Sequence, residues 1–201
     1  MNQVQSVRTL NTSDLILEPQ TADHAAAMFV VLSDPAIYEF ENAPPISADW
    51  LHARFSRLEA RACPYESEQW FNWVIRRSAS QQLAGYVQAT ITDQHALIAY
   101  ELSSQHWGKG IAREAVSCVL QELAQYYNIT QYFAVLKQSN FRSKKLLDRL
   151  GFVQASATEL LMLNSEADEN AMSRKTYESG PDGADPHHTS GHSSKGAGRP
   201  K

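Results

Sequence analysis

The sequence is poor in cysteine, in long apolar runs and in charge of one sign. Its two cysteines, Cys63 and Cys118, lie far apart and match no metal-ligand spacing, so we expect free thiols in a reducing compartment. A formal net charge of -4 over 201 residues means that the sequence has no excess of positive charge that would indicate binding to nucleic acid or to an anionic membrane. No apolar stretch is long enough to span a bilayer and no signal-peptide pattern opens the chain. Together these features predict a cytoplasmic protein.

The composition that remains, 43% hydrophobic and 20% charged, is typical of one globular domain with a sizeable core. We predict an N-terminal extension over residues 1–12, the domain over residues 13–178, and a disordered tail over residues 179–201. The tail is rich in Gly, Ser, Pro and His and has no aliphatic side chain larger than alanine, so it cannot offset its ordering entropy. Its histidines, His187, His188 and His192, are expected to be flexible, and no metal site is predicted.

Apolar periodicity predicts an α/β domain. A strand over residues 15–19 precedes two helices, whose N-caps are assigned to Thr21 and to Ser47 or Asp49. Strands are predicted over 69–76, 83–92, 96–102 and 132–136. A long amphipathic helix over 112–127 carries apolar residues at i, i+3 and i+4 spacing. Ser139 or Asn140 caps a final helix that ends at Gly151.

The turn Gly108-Lys109-Gly110 opens the long helix. A helix start presents bare N–H groups and the positive end of the helix dipole to a phosphate. The turn is not a nucleotide P-loop, because Gly110 stands where that loop has Ser or Thr, and Arg113 stands where the dinucleotide fingerprint has its third glycine. Two readings remain: a diphosphate site made by the main-chain N–H groups from Gly108 to Ala112, or an ordinary helix N-terminus.

Two motifs in the right order resemble the GNAT N-acetyltransferase superfamily. Gln105-x-x-Gly108-x-Gly110-Ile111-Ala112 resembles its acetyl-CoA pyrophosphate motif, and Asn140-x-x-Ser143-x-x-Leu146-Leu147-x-x-x-Gly151-Phe152 resembles its second signature. The opening over 15–35 is similar to the Rim-type branch, which acetylates the N-termini of ribosomal proteins, and 168–175 resembles the family's last strand. The resemblance covers about residues 10–177. It implies the GNAT acyl-CoA N-acyltransferase fold, a mixed, mostly antiparallel twisted sheet flanked by helices.

The same resemblance implies acetyl-CoA (coenzyme A) as cofactor. In the family, the strand before the glycine turn splays from its neighbour, so that its N–H groups receive the pantetheine arm and polarise the thioester carbonyl. This places Leu102, Ser103 and Ser104 beside the cofactor. The implied cofactor-binding residues are Leu102, Ser103, Gln105, His106, Trp107, Gly108, Lys109, Gly110, Ile111, Ala112, Asn140 and Ser143.

Two residues are catalytic candidates. Glu101 is the only charged residue in the run 96–102, where burial would raise the pKa of a carboxylate toward that of a general base. The alternatives for Glu101 are a salt bridge or a place on the solvated face of the sheet. Ser143 is expected to hydrogen-bond the cofactor's sulfur or a water near it; the alternative is that it bonds local backbone. Many family members have a tyrosine general acid where this chain has Leu147.

The reaction that the resemblance implies is acetyl transfer to a primary amine, preferably the N-terminal amine of a protein or peptide. The rivals are a small-molecule amine (amino acid, polyamine or antibiotic) as acceptor, and a non-catalytic acyl-CoA-binding module. We expect no nucleic-acid or membrane partner, and a monomer or homodimer. Six aromatic residues are assigned either to the acceptor cleft or to the core: Tyr38, Phe40, Trp50, Trp70, Phe71 and Trp73. Lys144 and Lys145 either contact the cofactor's 3′-phosphate or face solvent.

Overall fold

The computed structural model describes residues 7–40, 42–60, 68–93, 95–163 and 165–176. One sheet of eight strands, in the order β1-β2-β3-β4-β5-β6-β8-β7, carries helices on both faces. The strands are β1 Leu10–Asn11, β2 Leu15–Pro19, β3 Glu68–Arg77, β4 Leu83–Thr92, β5 His95–Leu102, β6 Gln131–Lys137, β7 Val153–Gln154 and β8 Glu169–Lys175. The helices are α1 Ala25–Leu32, α2 Ala48–Glu59, α3 Ile111–Tyr127, α4 Phe141–Arg149 and α5 Ala157–Leu163.

The predicted elements are present with small shifts in their ends. The Ser47 side chain accepts from Trp50 N, and Asn140 Oδ1 accepts from Ser143 N, so both residues are the N-caps of their helices. Gly151 follows α4 with a φ of 80°, the left-handed conformation that favours glycine at this position. After Thr21 the chain first forms a short 3₁₀ turn and then α1. The prediction missed three short elements, namely β1, β7 and α5.

The sheet has a different apolar layer on each face. On one face, α3 and α4 cover the larger cluster, in which Trp73, Val116, Leu123 and Tyr132 are fully buried. On the other face, α1 and α2 cover a smaller cluster around Met28. Because both of its faces are covered, β3 buries five consecutive residues from Phe71 to Ile75, and the alternation expected of a half-exposed strand is lost.

Part of the predicted N-terminal extension packs against the domain. Residues 7–12 belong to the packed structure, since Leu10 and Asn11 pair with β2 and Leu10 is buried. Arg8 forms an ion pair with Glu122 of α3 at 2.7 Å, and its carbonyl oxygen accepts from Trp73 Nε1. Residues 7–12 of the extension predicted over residues 1–12 therefore pack against the sheet and α3. The predicted tail and Cys63 lie outside the described residues.

The feature that positions the site is a gap between β5 and β6. These strands are parallel neighbours, but they pair at three positions only, His95–Gln131, Ala96–Tyr132 and Leu97–Phe133. Beyond Phe133, β6 continues against β8, whereas β5 continues against β4. The two strands therefore separate toward their C-terminal ends, as the resemblance predicts. Within the described ranges, no helix is both long and apolar enough to cross a membrane.

Candidate active site

The glycine turn lies at the open end of this gap, immediately before α3. Gly108 and Gly110 have φ values of 72° and 81°, and a Cβ on either would meet no atom within 4 Å. Gly110 is the N-cap of α3 and supplies no side-chain cap, so the first N–H groups of a 17-residue helix face open space. This arrangement fits the pyrophosphate of acetyl-CoA, which needs converging N–H donors and room for close backbone approach.

Not every predicted cofactor-binding side chain faces this space. Gln105 and Lys109 are exposed beside the turn, but His106 and Ile111 are buried beneath it. Burial, together with the charges of Lys109 and Arg77, lowers the pKa of His106, so a neutral imidazole packs under the turn. For His106 and Ile111, the predicted cofactor role is therefore limited to the main chain.

The end of β5 corrects the prediction for Ser103 and Ser104. Ser103 N–H donates to Ala84 O on β4, and Ser104 N–H donates to Asp34 Oδ2 at 2.7 Å. Ser103 Oγ also donates to Asp34. Neither N–H group is available to a pantetheine arm. Because successive strand N–H groups point to opposite sides, the N–H groups of Tyr100 and Leu102 point toward the gap instead.

Asp34 thus anchors the end of β5 to the loop after α1. We expect Asp34→Asn to lower the free energy of unfolding at neutral pH by about 1 kcal/mol, because a partly solvated charged acceptor becomes neutral. Hydrogen bonds from Ser104, Ser103 and Ala36 lower the pKa of Asp34 below its ordinary 3.8. Its stabilisation is therefore complete above the ordinary pKa and is lost as pH falls through the folded-state pKa.

Urea unfolding of the native chain and of Asp34→Asn across this pH range measures the effect, and the stability difference should disappear at the acidic end. Asp148→Asn is the matched control, because among the described residues the Asp148 carboxylate pairs only with Lys144, one helical turn away on the surface of α4. We expect a few tenths of a kcal/mol from that change. A difference for Asp34→Asn that persists at low pH would contradict the assignment.

Glu101 lies in a cleft on the α1–α2 face of the sheet. The cleft is lined by aromatic and polar side chains from several elements, among them Gln20, Tyr38, Trp50, Arg54, Tyr86 and Gln88. Glu101 is directly opposite Tyr86 in the β4–β5 ladder. The neighbouring pair in this ladder is Gly85–Leu102, and β4 and β5 approach closely there because residue 85 is glycine. A Cβ on residue 85 would collide with Glu101 O and lie 2.8 Å from Leu102 Cα.

Two tyrosine phenols share this cleft with Glu101. Burial raises the pKa of both Tyr86 and Tyr38, and the negative charge of Glu101 raises each of them further. Both phenols therefore stay protonated at neutral pH, and the Tyr38 hydroxyl donates to Leu32 O at 2.8 Å. The cleft combines one carboxylate, two phenols and the guanidinium of Arg54, and is suited to receive an amine together with the polar groups around it.

The structure divides the aromatic candidates. Tyr38 and Trp50 line the cleft, and Trp70 lines a neighbouring depression with Pro19 and Thr21. Phe71 and Trp73 are core residues, 1% and 0% exposed, so a role in the acceptor cleft is wrong for both. Phe40 instead packs edge-on against Phe141 of α4.

The cofactor side of the gap carries a pair of hydroxyl groups. Ser143 Oγ lies 2.6 Å from the phenolic oxygen of Tyr100, which projects from β5 on the face opposite Glu101. Leu147, at the position of the family's tyrosine, is 1% exposed and belongs to the core. Lys144 Nζ donates to the Asp148 carboxylate, so the structure does not support the predicted contact of Lys144 with the cofactor's 3′-phosphate.

Sequence reasoning missed Tyr100, Asp34, Tyr86 and Arg142. Arg142 pairs with Glu39 at 2.7 Å and stacks 4.2 Å from the ring centroid of Trp107, joining α4 to the glycine turn. Their partners are up to 103 residues away in sequence, so no local pattern reveals them. The Asp34-Pro35 pair does indicate a turn, and Asp34 does accept from Ala36 N, but nothing in that pattern points to Ser104.

Comparison with known proteins identifies the family. The acetyltransferase (GNAT) domain matches residues 14–153. The uncharacterized N-acetyltransferase YoaA of Bacillus subtilis (strain 168) is 28% identical over 149 residues, which are 71% of this chain and 81% of YoaA. Among solved structures, RimL, a ribosomal L7/L12 α-N-protein acetyltransferase in complex with coenzyme A, has a TM-score of 0.69 at 15% identity, covering 84% of this chain and 98% of RimL.

The self-immunity acetyltransferase MccE for microcin C7, in complex with acetyl-CoA and AMP, has a TM-score of 0.67 at 17% identity over 82% of this chain and 94% of MccE. At these identities both structures establish the fold, and the predicted likeness to Rim-type enzymes is confirmed at that level. The match of the domain itself spans well over half of the 201 residues. The chain therefore belongs to the GNAT acetyltransferase family and is an acetyl-CoA-dependent acyltransferase.

Proposed function

We propose that the protein transfers the acetyl group of acetyl-CoA to the N-terminal amine of a protein or peptide. The observation that carries this proposal is the separation of β5 from β6 after Leu97–Phe133. It leaves a gap with the uncapped glycine turn at one mouth and the Glu101 cleft on the opposite face of the same strand. A thioester held in such a gap meets an amine that enters from the Glu101 side.

The residues of this chain have separate roles in the proposed reaction. Main-chain N–H groups from Gly108 to Ala112 hold the pyrophosphate, and the Leu102 N–H faces the pantetheine. Bound acetyl-CoA supplies the activated acyl group. Glu101 accepts the proton of the amine, whose reference pKa of about 8 leaves it mostly protonated at neutral pH. The Tyr38 hydroxyl donates to Leu32 O, so its oxygen can only accept a hydrogen bond from the acceptor, and Tyr86 lines the same cleft.

An uncovered strip of sheet favours a polypeptide acceptor. Leu97 and Ala99 share the face of Glu101 along β5 and are exposed, and they pair with Thr90 and Gln88 of β4. Gln88 also lines the cleft, so the strip is continuous with it. An extended peptide whose first residue enters the cleft has a surface of mixed polarity along which its next residues can lie.

An acceptor screen tests this proposal. Short peptides with a free N-terminus are compared with the same peptides blocked at the N-terminus but carrying an internal lysine, and with free amino acids and polyamines. We expect acetylation at the N-terminal nitrogen, located by mass spectrometry, and no product from the blocked peptides. A kcat/KM for a small amine that equals or exceeds that of every peptide would contradict the peptide assignment and favour a small-molecule acceptor.

A matched variant connects the screen to the strip. Leu97→Glu places a charge on the exposed strip at a side chain that is already 38% exposed, so the fold should tolerate it. We expect KM for peptides to change several-fold, while turnover of a one-residue amine stays the same. Val30→Glu is the control, since Val30 is 75% exposed on α1 and lines neither the cleft nor the strip. Equal effects of the two changes on peptide KM would count against the strip.

A further inference from the structure

Leu147 leaves α4 without the hydroxyl that the family often uses at the leaving group. The structure places two other hydroxyl groups close to the same gap. Tyr100 reaches it from β5 and Ser143 from the first turn of α4, with their oxygens 2.6 Å apart. The two residues are 43 positions apart in sequence, so this contact is made only by the fold.

Both hydroxyl groups are held in place by their surroundings. Tyr100 follows the last β5–β6 pair, Leu97–Phe133, and therefore stands where the strands have separated. The Ser143 N–H donates to Asn140 Oδ1 at 3.0 Å, which fixes the first turn of α4. The hydrogen bond between Tyr100 and Ser143 thus joins β5, on one side of the gap, to α4, the helix that follows β6.

The direction of this hydrogen bond decides which hydroxyl remains available. Burial raises the pKa of Tyr100 to about 12, so its phenol is protonated at neutral pH and can donate. If Tyr100 donates to Ser143 Oγ, the serine proton must point elsewhere, because one hydrogen occupies each O···O contact. Ser143 is only half-buried, so its O–H is the one that can turn toward a ligand in the gap.

We infer that Tyr100 is a positioning residue that fixes the Ser143 hydroxyl as the hydrogen-bond donor to the sulfur of coenzyme A as it leaves. This inference rests on the acetyl transfer proposed above. The ammonium first gives one proton to Glu101, which releases it to water. As the neutral amine nitrogen then bonds to the carbonyl carbon, the C–S bond breaks and its electron pair stays on sulfur. The Ser143 O–H stabilises that thiolate without losing its proton, and the second proton of the nitrogen goes to Glu101. The thiolate, with a reference thiol pKa of about 8.5, later takes a proton from water.

Binding of the product measures this contact without turnover. The native chain, Tyr100→Phe, Ser143→Ala and the double variant are titrated by calorimetry with coenzyme A and with desulfo-coenzyme A, which lacks the sulfur. Titrations above the thiol pKa present the thiolate. We expect the native chain to prefer coenzyme A by about tenfold or more, as is usual for a hydrogen bond to a charged group. Each single variant should lose most of this preference while its affinity for desulfo-coenzyme A is unchanged.

The double variant should lose no more than either single variant, because the two hydroxyls act as one unit. Tyr132→Phe is the matched control. Its buried phenol donates to Leu120 O and Ile129 O, so its loss should lower stability and leave the preference for coenzyme A intact. Tyr100→Phe keeps the ring, and Ser143→Ala tests the same contact from the other element.

The possible results separate this inference from the proposed function. Loss of the preference in Ser143→Ala but not in Tyr100→Phe would overturn the positioning role of Tyr100. Equal affinities of the native chain for the two ligands would overturn the sulfur contact, while leaving acetyl-CoA binding in place. Failure of the native chain to bind either ligand would overturn the proposed function itself.

Discussion

Replacing Gly108 by glutamate should abolish measurable binding of acetyl-CoA. A carboxylate at this position enters the open space in front of the α3 N-terminus, where the pyrophosphate is expected. The glutamate repels the like charge of the pyrophosphate and also occupies the space that the pyrophosphate needs. A single pair of like charges about 4 Å apart costs about 4 kcal/mol at an effective dielectric constant near 20. We therefore expect the affinity measured by calorimetry to fall by at least about a hundredfold.

The same change also strains the backbone, and Gly151→Glu separates this strain from the loss of binding. Gly151 has a φ of 80° and equally open surroundings, but it lies at the C-terminal end of α4. A non-glycine residue in the left-handed region costs roughly 1–2 kcal/mol, so both variants should lose similar stability. Only Gly108→Glu should lose acetyl-CoA. Retention of native affinity by Gly108→Glu would show that the pyrophosphate binds elsewhere.

Glu101→Gln should lower kcat by about 10²- to 10⁴-fold, the usual contribution of a general base. Glutamine keeps the shape of the side chain but cannot accept the proton of the amine. Affinity for acetyl-CoA should stay close to native, because the glycine turn lies on the other side of the gap. The pH profile of kcat/KM gives the more specific test. The loss should be largest below the reference pKa of the amine, about 8, and smaller above it, where the amine is already neutral.

Gln88→Ala is the matched control for Glu101. It removes a polar side chain from the same cleft, on the strand paired with β5, without removing a charge. We expect a change in KM of a few-fold and an almost unchanged kcat. A native kcat in Glu101→Gln across the whole pH range would exclude this carboxylate as the base, and a water held by Tyr38 and Tyr86 would then be the next group to test.

Local features of the fold were predictable because their physical causes are local. The apolar stripe of α3, the caps at Ser47 and Asn140, and Gly151 after α4 each depend on residues within one or two turns. The glycine turn belongs to the same class, since the conformations of Gly108 and Gly110 follow from the absence of a side chain. The overall fold was then predictable from the order of the two motifs, because the GNAT family has the same motifs in the same order.

The rest depends on contacts that no local pattern contains. Phe71 and Trp73 were open to a cleft role because a strand buried on both faces shows no alternation to read. Asp34 meets Ser104 at a separation of 70 residues, and this contact makes the Ser104 N–H unavailable to the cofactor. Tyr100 was equally hidden, since a tyrosine in an apolar strand is normally a core residue.

The position of β8 has a consequence for how the protein is made. β6 pairs with β5 at three positions but with β8 at seven, so one wall of the gap is held mainly by the last described strand. During translation, β6 emerges from the ribosome well before residues 169–175. Among the described strands only β8 pairs with Ala134 to Lys137, so these residues stay unpaired until it follows. We therefore expect a nascent chain to bind coenzyme A only after these residues have joined the sheet.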